Sequence, residues 1–87
     1  MEIVYTEKAK DDLVFWKKSG NQQIQKRITE LIKSITANPI EGIGKPELLK
    51  YELAGKWSRR ITKEHRIVYE IEETRIIIIS LLYHYSK

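Results

Sequence analysis

The apolar positions of the chain change their period part-way along it. A short extended run, Glu2–Tyr5, reads as a first strand, and Thr6 supplies a hydroxyl that can accept from an unpaired backbone N–H at the start of a helix. Ala9, Leu13 and Trp16 then recur at i, i+4 and i+7, with Phe15 beside them. Gly20 can end this helix in the left-handed conformation, and Asn21 can cap the next. Ile24, Ile28, Leu31, Ile32 and Ile35 form a second apolar stripe at helical spacing, stopped at Asn38-Pro39, because the residue before proline is pushed out of the helical region. Residues 40–50, with Gly42, Gly44 and Pro46, read as a linking loop.

Beyond that loop the period becomes that of strands. Tyr51–Leu53 reads as a short strand followed by an Ala54-Gly55 turn. Residues 57–62 and 65–71 alternate on either side of a polar turn at Lys63-Glu64, and residues 75–85 form a last strand after Glu72-Glu73-Thr74. Ile76, Ile77, Ile78 and Ile79 leave that strand no polar side, which predicts a central position with both faces covered. The expected fold is α+β: two N-terminal helices packed on one face of a mostly antiparallel sheet of four or five strands, as one domain over residues 1–87.

Composition narrows the function classes. The chain has 87 residues, of which 41% are hydrophobic and 32% charged, too apolar for a disordered chain. With no cysteine, disulfide scaffolds and thiolate metal sites are excluded, and a reducing compartment fits. The first residues lack the basic and apolar regions of a secretion signal, and no apolar run spans a bilayer, so a cytoplasmic protein with no membrane association is expected. Between Lys45 and Arg66 lie seven basic and three acidic residues, so this window carries the whole net charge of +4. A local basic field suits a polyanion such as nucleic acid; the plain alternative is a solvated basic surface.

Metal-free RNA cleavage needs a base for the ribose 2′-OH, an acid for the leaving 5′-oxygen and fixed positive charge beside the phosphorus. Glu47, between Lys45 and Lys50, is the candidate base, since neighbouring cations favour the ionised carboxylate; it could equally serve only to balance those lysines. His84, between Tyr83 and Tyr85, is the candidate acid, against the alternative of an exposed idle side chain; His65, beside a turn, reads as structural. Arg59, Arg60 and Arg66 offer planar forks for phosphate, or simply keep a sheet edge soluble. Arg60 and Arg66 share a face only if the turn between their strands has three residues, because a two-residue turn puts them on opposite faces. Tyr51, Trp57, Tyr83 and Tyr85 could stack on bases, with Trp57 the more core-like. No His/Asp/Glu cluster has metal-ligand spacing, and neither metal nor other cofactor is expected.

Three stretches carry a family resemblance: G-x-G-K-P-E-x-L-K over residues 42–50, W-S-R-R-I-T-x-E-H-R over residues 57–66, and Tyr83-His84-Tyr85. Together they resemble the YoeB (Txe) family of bacterial toxins, within the RelE-like ribonucleases. The resemblance covers nearly the whole chain. It implies the toxin of a type II toxin–antitoxin pair that cleaves mRNA in the ribosomal A site, leaving a 2′,3′-cyclic phosphate and a 5′-hydroxyl. It puts the general base on Glu47, the general acid on His84 and the phosphate-stabilising arginine on Arg66, with Lys50, Arg60 and Tyr85 in support. It also implies a homodimer, a YefM-like antitoxin, and operator DNA bound only by the toxin–antitoxin complex.

Two other functions stand beside this one. A non-catalytic RNA- or DNA-binding module would need the basic window but not Glu47 or His84. A gyrase-directed toxin on the same scaffold would share the fold and is not expected to carry the Glu/Arg/His set.

Overall fold

A computed structural model describes residues 1–82. Strand β1 (Glu2–Tyr5) leads into helices α1 (Glu7–Ser19) and α2 (Gln22–Ala37). Strands β2 (Glu47–Leu48), β3 (Trp57–Arg60), β4 (Arg66–Ile71) and β5 (Arg75–Ser80) complete a five-stranded sheet in the order β1-β5-β4-β3-β2. β1 runs parallel to β5 and every other pair is antiparallel, so the sheet is mixed.

The helix boundaries follow from local chemistry. Thr6 Oγ1 accepts from Ala9 N at 3.1 Å, and Asn21 Oδ1 accepts from Ile24 N at 3.1 Å, each satisfying a donor that the helix leaves open. Gly20 closes α1 at φ 74°. The helix stripes meet one sheet face: Ala9, Trp16, Ile28, Leu31 and Ile35 pack with Ile67, Tyr69, Ile76 and Ile78 into a single buried core. Leu13, Ile24 and Ile32 border it, while Phe15 lies about half exposed.

The structure corrects the sequence reading in four places. Residues 40–50 are not all loop, since Glu47–Leu48 adds an edge strand against β3. Tyr51–Leu53 is a turn of 3-10 helix, entered through Tyr51 in the left-handed region at φ 61°, which no extended strand could adopt. β5 does lie between two strands, but its faces differ: Ile76 and Ile78 are fully buried, whereas Ile77 and Ile79 are partly exposed because the helices cover only one side.

Arg59 is the fourth correction and the largest. Its side chain is fully buried, and all five of its N–H donors find oxygen. Nε donates to Tyr69 Oη (3.0 Å); Nη1 to Ser34 Oγ (2.7 Å) and Ile43 O (3.2 Å); Nη2 to Asn38 O (2.6 Å) and Glu41 O (3.1 Å). Expected on the surface as a phosphate ligand, Arg59 instead fastens the segment after α2 to the sheet. Strand alternation is the reason: Arg60 faces away from the helices, so its neighbour Arg59 must face them. Tyr69 completes the arrangement by donating to Pro39 O at 2.6 Å. Burial raises the Tyr69 phenol above its usual pKa, against the opposing pull of Arg59, so the hydroxyl keeps the proton it donates.

The loop closes over Arg59 only because it carries glycine. Gly42 has φ 136°, and a Cβ there would run into Ser34 Oγ and Arg59 Nη1. Removing the guanidinium leaves five oxygens without their donor at once. Arg59→Met should therefore lower unfolding free energy by about 3–5 kcal/mol, the range for breaking a buried charged network. Arg60→Met, on the exposed side, should stay within about 0.5 kcal/mol. Urea denaturation of both variants checks the contrast.

Candidate active site

Strand pairing decides which side chains share the sheet face turned away from the helices. Glu47 lies opposite Ser58, and Arg60 lies opposite Arg66. Directly paired residues project to the same side, and so do residues two apart on one strand. Glu47, Ser58, Arg60 and Arg66 thus occupy one face, across β2, β3 and β4.

The turn that permits this is the three-residue one. Ile61 N donates to His65 O at 2.9 Å, closing a loop over residues 62–64. Thr62 Oγ1 braces it by accepting from Glu64 N (3.1 Å) and His65 N (3.0 Å). Sequence reasoning left the register open between two turn lengths, and this hydroxyl is what selects one.

Glu47 Oε1 stands 3.7 Å from Arg66 Nη1. Their exposures are unequal, at 57% for the Glu47 side chain and 17% for that of Arg66. The guanidinium is therefore held within the sheet surface while the carboxylate reaches into solvent. Contact at 3.7 Å is an ion pair rather than a short hydrogen bond, so either partner can take up a third group at small cost. Arg60 and Arg66 put two like charges directly across a strand pair, a repulsion that the Glu47 carboxylate beside Arg66 offsets in part.

The edge strand carrying Glu47 is anchored at both ends. Arg60 N donates to Gly44 O at 2.7 Å before it, and Leu49 N donates to Lys56 O at 2.8 Å after it. Lys50 and Tyr51 follow at the surface, Tyr51 being 88% exposed in its left-handed conformation. Trp57 faces the other way and packs against the core. Lys50, Arg60 and Glu47 all remain accessible, whereas Arg59 does not. His84 and Tyr85 lie outside the described residues.

One neighbour escaped the sequence reading. Ser58 is fully buried opposite Glu47, with a hydroxyl that finds no hydrogen-bond partner among the described residues. Its signal was present in the alternation of Trp57-Ser58-Arg59-Arg60, which puts Ser58 on the face of Arg60. Among the described residues no group of three or more His, Asp or Glu side chains could hold a metal ion, and no helix is long and apolar enough to cross a membrane.

An α+β domain of this strand order has the fold of the RelE-like small toxins, and here its free sheet face carries a carboxylate and two guanidiniums. A sequence model for the YoeB-like toxin of bacterial type II toxin-antitoxin systems matches residues 5–85. Toxin YoeB of Escherichia coli K12 is 45% identical over 85 residues, covering 98% of this chain and 100% of the relative. The solved YoeB/ParE toxin from Agrobacterium tumefaciens superposes with a TM-score of 0.92 at 40% identity, over 98% of this chain and all of the other. YoeB of Staphylococcus aureus, solved as a dimer, gives a TM-score of 0.87 at 43% identity over 98% of both chains, and its complex with YefM gives 0.86 at 44% over the same shares. The chain belongs to the YoeB toxin family of type II toxin–antitoxin systems.

Because Glu47 is more than half exposed and its ion pair is long, it contributes little to folding. Glu47→Gln should change unfolding free energy by less than about 0.5 kcal/mol in urea denaturation. A loss of activity in that variant would then be chemical in origin.

Proposed function

We propose that this toxin is a ribosome-dependent mRNA endoribonuclease that cleaves without a metal, with Glu47 as base, Arg66 as phosphate stabiliser and His84 as acid. The observation that carries this reading is the convergence of Glu47 and Arg66, 3.7 Å apart, on the sheet face away from the helices.

In the proposed reaction, Glu47 takes the proton of a ribose 2′-OH. The 2′-oxygen attacks the adjacent phosphorus, and the bond to the 5′-oxygen breaks. His84 donates a proton to that leaving oxygen, so the products are a 2′,3′-cyclic phosphate and a 5′-hydroxyl. Arg66 is fixed where negative charge grows on the phosphoryl oxygens, and charge placed in advance is what lowers such a barrier. Arg60 and Lys50 add positive charge along the same face, and Tyr85 supports the substrate. The opposed Arg60 and Arg66 favour this reading, because an approaching phosphate relieves their mutual repulsion. His84 follows a strand, β5, whose end pairs Ser80 with Val68, two residues along from Arg66 on β4.

The same geometry supports a need for the ribosome. A base on a two-residue edge strand, more than half exposed, does little to orient a flexible RNA by itself. A codon already held in the ribosomal A site arrives oriented, and orientation supplies much of the barrier lowering in such reactions. The toxin would act in the cytoplasm. By likeness to the relative from Staphylococcus aureus, it would form a dimer and be silenced by a YefM-like antitoxin, an acidic segment covering Arg66 or displacing the Tyr83-His84-Tyr85 end. Operator DNA would be bound only by that complex.

The test is cleavage of ribosome-bound mRNA, with product ends identified chemically. Glu47→Gln and His84→Gln should each slow cleavage by about 10²–10⁴-fold while ribosome binding persists. Naked mRNA should be cut far more slowly by the wild type. Undiminished cleavage by both variants, or equal rates on naked and ribosome-bound mRNA, would refute the reading.

A further inference from the structure

The end of β5 is held by side chains instead of a strand. β1 pairs with β5 only as far as Ile78, so the backbone of residues 79–81 has no strand partner on that side. A bulge begins at the same place: Tyr69 pairs with Ile78 but Val68 with Ser80, leaving Ile79 as the extra residue. Buried backbone groups must find partners, and here α1 and its N-cap residue provide them. Thr6 Oγ1 donates to Ile79 O at 2.8 Å. Leu81 N donates to Asp12 Oδ2 at 2.8 Å, and Trp16 Nε1 donates to Leu81 O at 2.8 Å. Both polar groups of Leu81 are thereby fixed by two side chains one helical turn apart.

Asp12 is an expensive residue to use this way. It is only 3% exposed, and burying a carboxylate costs free energy unless it is paired. Lys8 compensates it, with Nζ at 2.8 and 2.9 Å from the two carboxylate oxygens. Trp16 is 5% exposed and meets the His65 ring edge-on at 4.9 Å between centroids, tying the clamp to the turn that sets the Arg60–Arg66 register. A helix needing only to cover the core would carry an apolar residue at position 12, as it does at Ala9.

From this geometry we infer that Asp12 and Trp16 are positioning residues for catalysis, which clamp Leu81, the residue from which the chain continues to His84. The inference rests on the proposed role of His84, three residues beyond the clamp. It also states why the clamp is polar: two directional hydrogen bonds fix both position and orientation of a peptide unit, whereas apolar packing fixes mainly its depth.

The test compares the full-length wild type with Asp12→Ala, Asp12→Asn, Trp16→Phe, Ile35→Val and His84→Ala, under conditions where urea titration shows each variant folded. Single-turnover cleavage of ribosome-bound mRNA yields a maximal rate and a half-saturating concentration. Carbon–proton NMR follows the His84 imidazole, identified by its absence in His84→Ala. Asp12→Ala and Trp16→Phe should lower the maximal rate at least about tenfold and shift the His84 resonance, with half-saturation unchanged within about twofold, as expected for a misplaced reacting group. Ile35→Val, a core change away from β5, should do neither. Asp12→Asn keeps an acceptor for Leu81 N–H and should recover most of the rate, which a loss of general stability would not predict. If Asp12→Ala and Trp16→Phe match Ile35→Val in rate and leave the imidazole resonance unmoved, the inference is overturned. Wild-type cleavage by His84→Ala would instead overturn the reading of His84 as the acid, and this inference with it.

Discussion

A guanidinium sealed inside the domain, answered by carbonyl oxygens and hydroxyls, sets the geometry on which the rest depends. Arg59 reaches from β3 to Ser34 on α2 and to the carbonyls of Asn38, Glu41 and Ile43. Those carbonyls belong to the segment that carries the chain from the end of α2 to the edge strand holding Glu47. β2 itself offers only two paired residues, too few to hold a sheet edge alone. The position of Glu47 is thus inherited from a buried contact several residues upstream. Loss of carbonyl hydration in that segment is compensated by donors that a cation makes strong.

This arrangement separates the groups that hold the fold from the groups on its free face. Arg59 has all five donors occupied and no exposure, and so serves structure. Arg66 is mostly buried yet aimed at the free face, and Glu47 is mostly exposed. Adjacent arginines on one strand have been given opposite duties simply because a pleated strand sends them to opposite sides. The cross-strand pair Arg60–Arg66 is the converse case, two like charges that Glu47 offsets only in part and that a further anion would relieve.

Much of this was legible in the sequence, and the parts that were not have identifiable causes. Both helices, their caps at Thr6 and Asn21 and the stop at Asn38 are local features, set by residues within one turn of one another. The strand-rich second half was legible from period 2. The 3-10 turn at Tyr51–Leu53 was not, because it requires a left-handed tyrosine that no local preference would choose. Arg59 was misassigned through its composition alone: arginine suggests surface, and its partners Ser34 and Tyr69 stand 25 and 10 residues away. The alternation Trp57-Ser58-Arg59-Arg60 already required one arginine to face the helices. Asp12 hid in the same way, since its stripe position between Ala9 and Trp16 was visible but its partner, Leu81, is 69 residues distant. Glu47 and Arg66 were nameable from charge and motif, while their shared face depended on a turn length that only the Thr62 hydroxyl resolves.

Among the described residues no carboxylate is a partner of Arg59, and this bears on the neighbouring face. An ion pair would cancel the buried charge at distances beyond a few ångströms. Carbonyl dipoles do not: their negative ends surround the guanidinium, but each dipole is neutral, so at a distance the full unit charge remains. That charge stands one residue from Arg60 on β3, behind the sheet face that bears Arg66. A charge in the low-dielectric interior is screened by salt less than one in solvent. The same side chain that fastens the loop therefore adds to the positive field of the Lys45-to-Arg66 window. A polyanion approaching Arg60 and Arg66 meets the sum of all three guanidiniums, although it can touch only two.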